Sequence, residues 1–163
     1  MSDGSELLQK KASLRMAMLQ QLRTMTSYDR TTRSEKICAR VVDSASWQEA
    51  KSVLLFSPLR SEPQIAPLET AAVATGKSTA VIPATLRVES GLNLSSAPEL
   101  ILVPGLAFSR SGHRLGRGGG FFDRLLGGRV AFAFKVGICF AFQLLETIPI
   151  EPHDAVMDAI ISD

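Results

Sequence analysis

Strand-like and helix-like segments alternate after residue 50, and that order predicts a three-layer α/β/α domain with a mainly parallel sheet. Three observations carry the expectation. Ser52-Val53-Leu54-Leu55-Phe56 and Leu100-Ile101-Leu102-Val103 are continuous apolar runs of strand length, the pattern of strands covered on both faces. Apolar runs end near Pro58, Pro83 and Pro104, residues that cannot donate to a ladder. A helical stretch at 65–75, followed by the stop residue Gly76, lies between the first two runs.

Residues 5 to about 25 place Leu7, Leu14, Met18, Leu22 and Met25 near one helical stripe, with Lys10, Lys11, Arg15 and Arg23 among the others, so an amphipathic helix is expected. A second is expected over 30–44, where Ile37, Val41 and Val42 give an apolar face. Strands follow at 52–56, 79–82 and 100–103. A helix starting near Gly120, a strand inside 129–140, a short helix around 142–147 and a last strand near 159–162 complete the order. Ligands of open parallel sheets collect at the carboxyl ends of the strands, which directs attention to the loops at 57–64, 104–120 and 149–158.

The length of 163 residues suits a single domain over one core. Eighteen basic against sixteen acidic residues leave no general basic field for nucleic acid. Cys38 and Cys139 stand far apart in no metal-ligand spacing, which fits buried apolar roles in a reducing cytoplasm. Leu7-Leu8 is followed at once by Lys10 and Lys11, so no signal-peptide core is expected. The apolar stretch 130–145 is interrupted by Lys135 and Gly137 and is too short to span a bilayer.

The chemistry concentrates in Arg114-Leu115-Gly116-Arg117-Gly118-Gly119-Gly120-Phe121-Phe122-Asp123-Arg124. Glycines can take positive φ and present backbone N–H groups with no Cβ in the way, arginines offer planar forks to phosphate oxygens, and aromatic rings can stack on a base. Asp123 could hold a magnesium ion that bridges phosphates. The pattern is that of a polyphosphate cradle; a surface turn with incidental arginines, or an RNA-binding Arg-Gly-Gly box, would share part of it.

Gly76-Lys77-Ser78 imitates the end of a P-loop, but it closes a helix and enters a strand, the reverse of the P-loop context. The 116–121 run lacks the glycine spacing of a dinucleotide fingerprint. His113 reads as surface, and neither it nor His153 has a partner at zinc-ligand spacing. His153-Asp154, with Asp158 four residues on, offers oxygen ligands to complement Asp123, or else a capped turn. Glu62, stiffened between Pro58 and Pro63, could face a ligand or solvent. Lys11 and Arg15, one helical turn apart, could share an anion or form a solvated face.

Together these pieces resemble the 5-formyltetrahydrofolate cyclo-ligase (methenyltetrahydrofolate synthetase) family. The resemblance runs through Lys11-Ala12-Ser13-Leu14-Arg15, Arg33-Ser34, Ile37, Glu62, Val103-Pro104-Gly105-Leu106-Ala107-Phe108, the run from Gly112 through Arg124, Gln143, Pro149, His153-Asp154 and Asp158. It implies a CoA-transferase-like α/β fold and ATP- and Mg²⁺-dependent closure of 5-formyltetrahydrofolate to 5,10-methenyltetrahydrofolate. In that reaction the formyl oxygen attacks the γ-phosphate and N10 then closes on the activated carbon. By the same resemblance Lys11, Arg15, Arg114, Leu115, Gly116, Arg117, Gly118, Gly119, Gly120, Phe121 and Phe122 would bind ATP. Asp123 and Asp154 would hold the metal, while Ser57, Glu62 and Phe121 would face the folate. The chain departs from the family in a middle segment cut to about sixteen residues, Ala84 to Glu99, in Ser109 for a frequent aspartate, and in Phe121-Phe122 for a frequent tyrosine pair. A catalytically weakened paralogue that binds nucleotide or folate is the alternative those departures suggest.

Overall fold

The structure, a computed structural model, describes residues 2–87, 92 and 94–163. The 84–99 link therefore lies partly outside the described residues. It opens with a 3-10 turn, Ala84–Arg87.

Three helices precede the first strand: α1 (Ser2–Thr24), α2 (Ser27–Asp43) and α3 (Ala45–Glu49). The stripe on α1 turns inward at Met18 and Leu22, which are 5% and 1% exposed. Thr26 caps α2, its hydroxyl oxygen accepting from the Asp29 N–H at 3.1 Å. Ser44 ends α2 and caps α3 by accepting from the Trp47 N–H at 3.3 Å. That double use produces a helix absent from the sequence reading, and it drives Trp47 into the core at 2% exposure.

The sheet contains β1 (Ser52–Phe56), β2 (Ser78–Ile82), β3 (Leu100–Pro104), β6 (Phe134–Ile138) and β8 (Ala159–Ile161) in the order β2-β1-β3-β6-β8, every neighbouring pair parallel. Central β3 is buried at all of its positions, as its continuous apolar sequence requires. Helices α4 (Ala66–Ala74) and α5 (Phe121–Gly127) lie in the β1-to-β2 and β3-to-β6 crossovers. The first crossover leaves β1 toward one sheet edge and the chain returns through β3 toward the other, so opposite helix layers cover the two faces. The order also creates a switch point between β1 and β3.

A second, three-stranded sheet was not expected. In it β4 (Ala107–Ser109) pairs antiparallel with β5 (Arg114–Leu115) and parallel with β7 (Leu144–Leu145). The short helix expected over 142–147 is instead a 3-10 turn, Ala141–Gln143, that runs into β7. Pairing with β4 captures the Leu144-Leu145 backbone, and tertiary hydrogen bonding outweighs local helical preference. Gln143, 2% exposed, fixes this corner by accepting from the Phe140 N–H and donating to the carbonyls of Gly105 and Leu106. Phe108 is wedged beneath it: a Cβ at Gly137 would lie 2.5 Å from the Phe108 ring, and one at Gly105 2.9 Å. Both positions must be glycine for the two sheets to approach.

Among the described residues no helix is long and apolar enough to cross a membrane. Both cysteines are free and buried. Burial pushes the Cys38 thiol up to about 11 and the Cys139 thiol up to about 12.

Candidate active site

A cavity of about 420 Å³ opens at the switch point. The turn after β1 contributes Leu59 and Glu62, the end of β3 contributes Pro104 and Gly105, and the whole 114–123 run forms the wall opposite. Helix α1 adds Lys11 and Arg15, and the loop before β8 adds Glu151, His153 and Asp154. Residues scattered over 140 positions are thus gathered by the carboxyl edge of one sheet.

The glycine loop is built to leave donors unused. Gly118 and Gly120 have φ of +104° and +71°, conformations that L side chains rarely adopt. Among the described residues, the N–H groups of Gly118, Gly119 and Gly120 donate no backbone hydrogen bond, whereas the Gly120 carbonyl is spent on Arg124 N–H at the start of α5. The loop's carbonyls are also tied back: Arg15 Nε donates to Gly116 O and Arg124 Nη1 donates to Gly119 O, each at 2.9 Å. Carbonyls held outward and amides left over make a concave nest with affinity for anions.

Arg114, which the resemblance implies for ATP, lines the cavity from a buried position. It belongs to β5, is 8% exposed, donates from Nε to Pro104 O at 2.6 Å and lies 5.0 Å over the Phe122 ring. Its guanidinium packs beneath Gly116, where a Cβ would lie 2.9 Å from Nη2. Phe122, 4% exposed, lines the cavity from below with one face covered by this guanidinium. Half-buried Phe121 stands edge-on to it, with centroids 5.2 Å apart at 89°, and is the more accessible of the two rings.

Asp123 lies 3.7 Å from Arg114 Nη1, and its Oδ1 is buried without a hydrogen-bond partner among the described residues. That oxygen is the one facing the Arg114 guanidinium, while the partly exposed carboxylate lines the cavity and is of the type that holds a hard cation. Asp154 lies on the opposite wall in a tight cluster: Lys11 Nζ donates to Asp154 Oδ2 at 2.7 Å and to Glu151 Oε2 at 2.6 Å, and the Glu151 N–H also donates to Asp154 Oδ2. Burial opposes the charge on Lys11, yet the hydrogen bonds it donates to Asp154 and Glu151 outweigh it and hold the ammonium pKa above its ordinary value. Burial likewise opposes the Asp154 carboxylate, while Lys11 and the Glu151 N–H hold its pKa below the ordinary value. His153 lies 4.0 Å from Glu151, so Glu151, His153 and Asp154 bring one ligand atom each within 4.8 Å.

Other residues singled out in the sequence lie apart from the cavity lining. Ser57 lies outside the cavity lining; its N–H donates to Ile82 O at the end of β1. Asp158 is also elsewhere, with its carboxylate accepting from the Lys135 N–H beside β6. His113 is half-buried rather than on the surface, bridged to Val156, with Nδ1 buried and unpartnered among the described residues. Lys77 bonds to Ala50 O and sits 5.8 Å over Trp47, so the P-loop imitation is structural. Sequence reasoning missed Glu151, Leu59 and Ala84. Only Glu151 carried a signal, an acid in the Pro149–Pro152 turn beside His153-Asp154.

A parallel sheet in flavodoxin-like order, with a glycine nest and facing carboxylates at its switch point, defines an α/β protein whose candidate ligand site lies at that switch point. The profile of the 5-formyltetrahydrofolate cyclo-ligase family matches residues 8–98 and 84–163, and the chain belongs to that family. A cyclo-ligase of Mycolicibacterium smegmatis is 47% identical over 64 residues, covering 39% of this chain and 33% of the relative; one of Arabidopsis thaliana, described as mitochondrial, is 36% identical over 86 residues, covering 45% and 30%. In those alignments the chain spans about a third of the relative's length. The Mus musculus cyclo-ligase aligns over 93% of this chain and 92% of its own length at 22% identity. Among solved structures, a 5,10-methenyltetrahydrofolate synthetase of Mycoplasma pneumoniae superposes with a TM-score of 0.78 at 22% identity, covering 94% and 98% of the two chains. The corresponding Aquifex aeolicus protein superposes with a TM-score of 0.76 at 26% identity over 93% and 88%.

Proposed function

We propose that the chain closes 5-formyltetrahydrofolate to 5,10-methenyltetrahydrofolate with ATP and Mg²⁺, releasing ADP and phosphate. The observation that carries the reading is the glycine nest with its unspent N–H groups, beside Asp123 on one cavity wall and across from Asp154. Backbone donors of 118–120 and the Arg117 fork take phosphate oxygens; Arg15, by holding Gly116 O, keeps the nest open. Arg114 acts through the wall, bracing Pro104, Phe122 and Asp123 rather than reaching out to a phosphate.

Asp123 and Asp154 would hold Mg²⁺, which supplies neutralisation of phosphate charge during transfer. Lys11 keeps Asp154 ionised and oriented. Glu62, Leu59 and Phe121 form the folate side, with Glu62 accepting from ring N–H groups and Phe121 packing against a planar ring. The formyl oxygen forms a bond to the γ-phosphorus as the bond to ADP breaks; N10 then bonds to the formyl carbon, its proton passes to the departing phosphate, and the C–O bond breaks as phosphate leaves with the oxygen. Both steps depend on alignment and charge, and the protein supplies no nucleophile. The reducing cytoplasm remains the proposed location, supported by the two free, buried thiols.

Absorbance of the methenyl product tests the reading: the protein should generate it only with both ATP and Mg²⁺. A second reading, a nucleotide- or folate-binding paralogue without turnover, is favoured by the shortened middle, where the two family matches overlap over 84–98. Ligand uptake by folded protein with no methenyl signal would establish it over the first.

A further inference from the structure

The glycine loop and the Glu62 turn come from different strands, and one side chain ties them across the cavity. Arg117 donates from Nη2 to the Ser61 hydroxyl, and its Nε lies 3.7 Å from Glu62 Oε1. The turn is the fixed partner. Glu62 Oε2 accepts from the Leu59 N–H at 2.8 Å, the Glu62 N–H donates to Leu59 O at 2.9 Å, and its side chain is 5% exposed. The Arg117 side chain is 36% exposed and precedes Gly118 at φ +104°, so it is the movable partner.

We propose that Arg117, Ser61 and Glu62 form a clasp that couples the two halves of the cavity. A triphosphate on the glycine loop draws Arg117 off the turn, and folate then meets a Glu62 carboxylate that this guanidinium no longer neutralises. This deepens the nucleotide-and-folate reading and rests on it. The exchange is favourable because a guanidinium prefers two charge-assisted bonds to a phosphate over one hydroxyl and a carboxylate beyond hydrogen-bond length. Linkage makes it reciprocal: folate on Glu62 frees Arg117 for the nucleotide by the same factor. Ser61 and Arg117 are positioning residues in this coupling.

Calorimetry on the full chain separates the possibilities, with Mg²⁺ and a β,γ-imido ATP analogue as one probe and 5-formyltetrahydrofolate as the other, each alone and with the other saturating. In the unaltered protein each should tighten the other about tenfold. Ser61→Ala should bind the analogue alone about threefold more tightly, with a smaller coupling factor, since one bond holding Arg117 back is gone; Ser61→Thr should restore both values. Arg117→Met should bring the coupling factor to one. A purely structural Arg117 would weaken both ligands and leave the factor unchanged. Analogue uptake with folate affinity independent of it overturns the clasp alone, as does a factor unmoved in Ser61→Ala. No uptake of analogue overturns the nucleotide reading and the clasp with it. Thermal melts confirm folding, and should Arg117→Met fail there, the half-buried Ser61 position decides.

Discussion

Two glycine turns at opposite ends of the sheet use similar residues to different ends. At Gly76-Lys77-Ser78, Gly76 has φ +72° and closes α4; the Lys77 N–H donates to Ala72 O, the Ser78 N–H to Lys51 O, and Lys77 Nζ to Ala50 O. Every backbone N–H there is returned to the protein. At 116–120 the carbonyls are tied down by Arg15 and Arg124 while the glycine amides are left over. The difference lies in chain direction. A turn from helix to strand must satisfy the helix's last carbonyls, whereas a turn from strand to helix leaves amides to be satisfied from outside. Glycine content alone does not make a phosphate site; surplus donors do.

The largest expected effect breaks the metal side of the 116–123 wall. Asp123→Ala should lower ATP-dependent turnover about 10³-fold, because a carboxylate on the cavity wall is lost, with the fold retained by circular dichroism. Turnover close to that of the unaltered protein would remove Asp123 from the metal.

Next comes the clamp between α1 and the loop before β8. Lys11→Met should cost about 3 kcal/mol of unfolding free energy in denaturant titration, since it strands two carboxylates against a buried partner. The folded pKa of Lys11 is raised, so its contribution is complete below the ordinary value of 10.5 and is lost as pH rises through the folded value. That of Asp154 is lowered, so its contribution is complete above 3.8 and is lost as pH falls through the folded value. The stability gap between the two proteins should therefore be flat across neutrality and shrink at both extremes. A gap that grew in acid would assign the clamp to other groups.

Gly76→Ala and Gly118→Ala sharpen the comparison directly. Each forces a Cβ onto positive φ and should cost about 1 kcal/mol. Only Gly118→Ala should also weaken nucleotide binding, by about tenfold, since relief of the strain at φ +104° turns the amides of the nest. Equal nucleotide affinities would refute the assignment of surplus amides. The smallest effect is reserved for Lys77→Met, which should lose about 1 kcal/mol through its carbonyl bond and its contact with Trp47 while leaving nucleotide affinity untouched.

Most of the fold was legible because its signals are local. Proline stops and uninterrupted Val/Leu/Ile runs announced the central strands, and Gly76 announced the end of α4. What escaped was short: α3 depends on Ser44 serving two helices, and β7 on a partner 36 positions away in register. The cavity wall at 114–123 was legible from its composition, yet the burial of Arg114 and Phe122 was not, because an arginine on a two-residue strand reads like one on a loop. Lys11 carried an overlooked sign. It occupies the stripe of Leu7, Leu14 and Met18, and a charge on a buried stripe demands a partner.

Residue order alone determined which stretches became strands, where they stopped and which turn could present amides, since torsional freedom and side-chain periodicity act over a few neighbours. Only the tertiary structure decided that Lys11 meets Asp154 across 143 positions, that Arg114 sinks onto Phe122, and that Arg117 reaches Ser61 and Glu62. Those pairings arise from strand order and desolvation, which bring distant charges together and make each one's partner a condition of its burial.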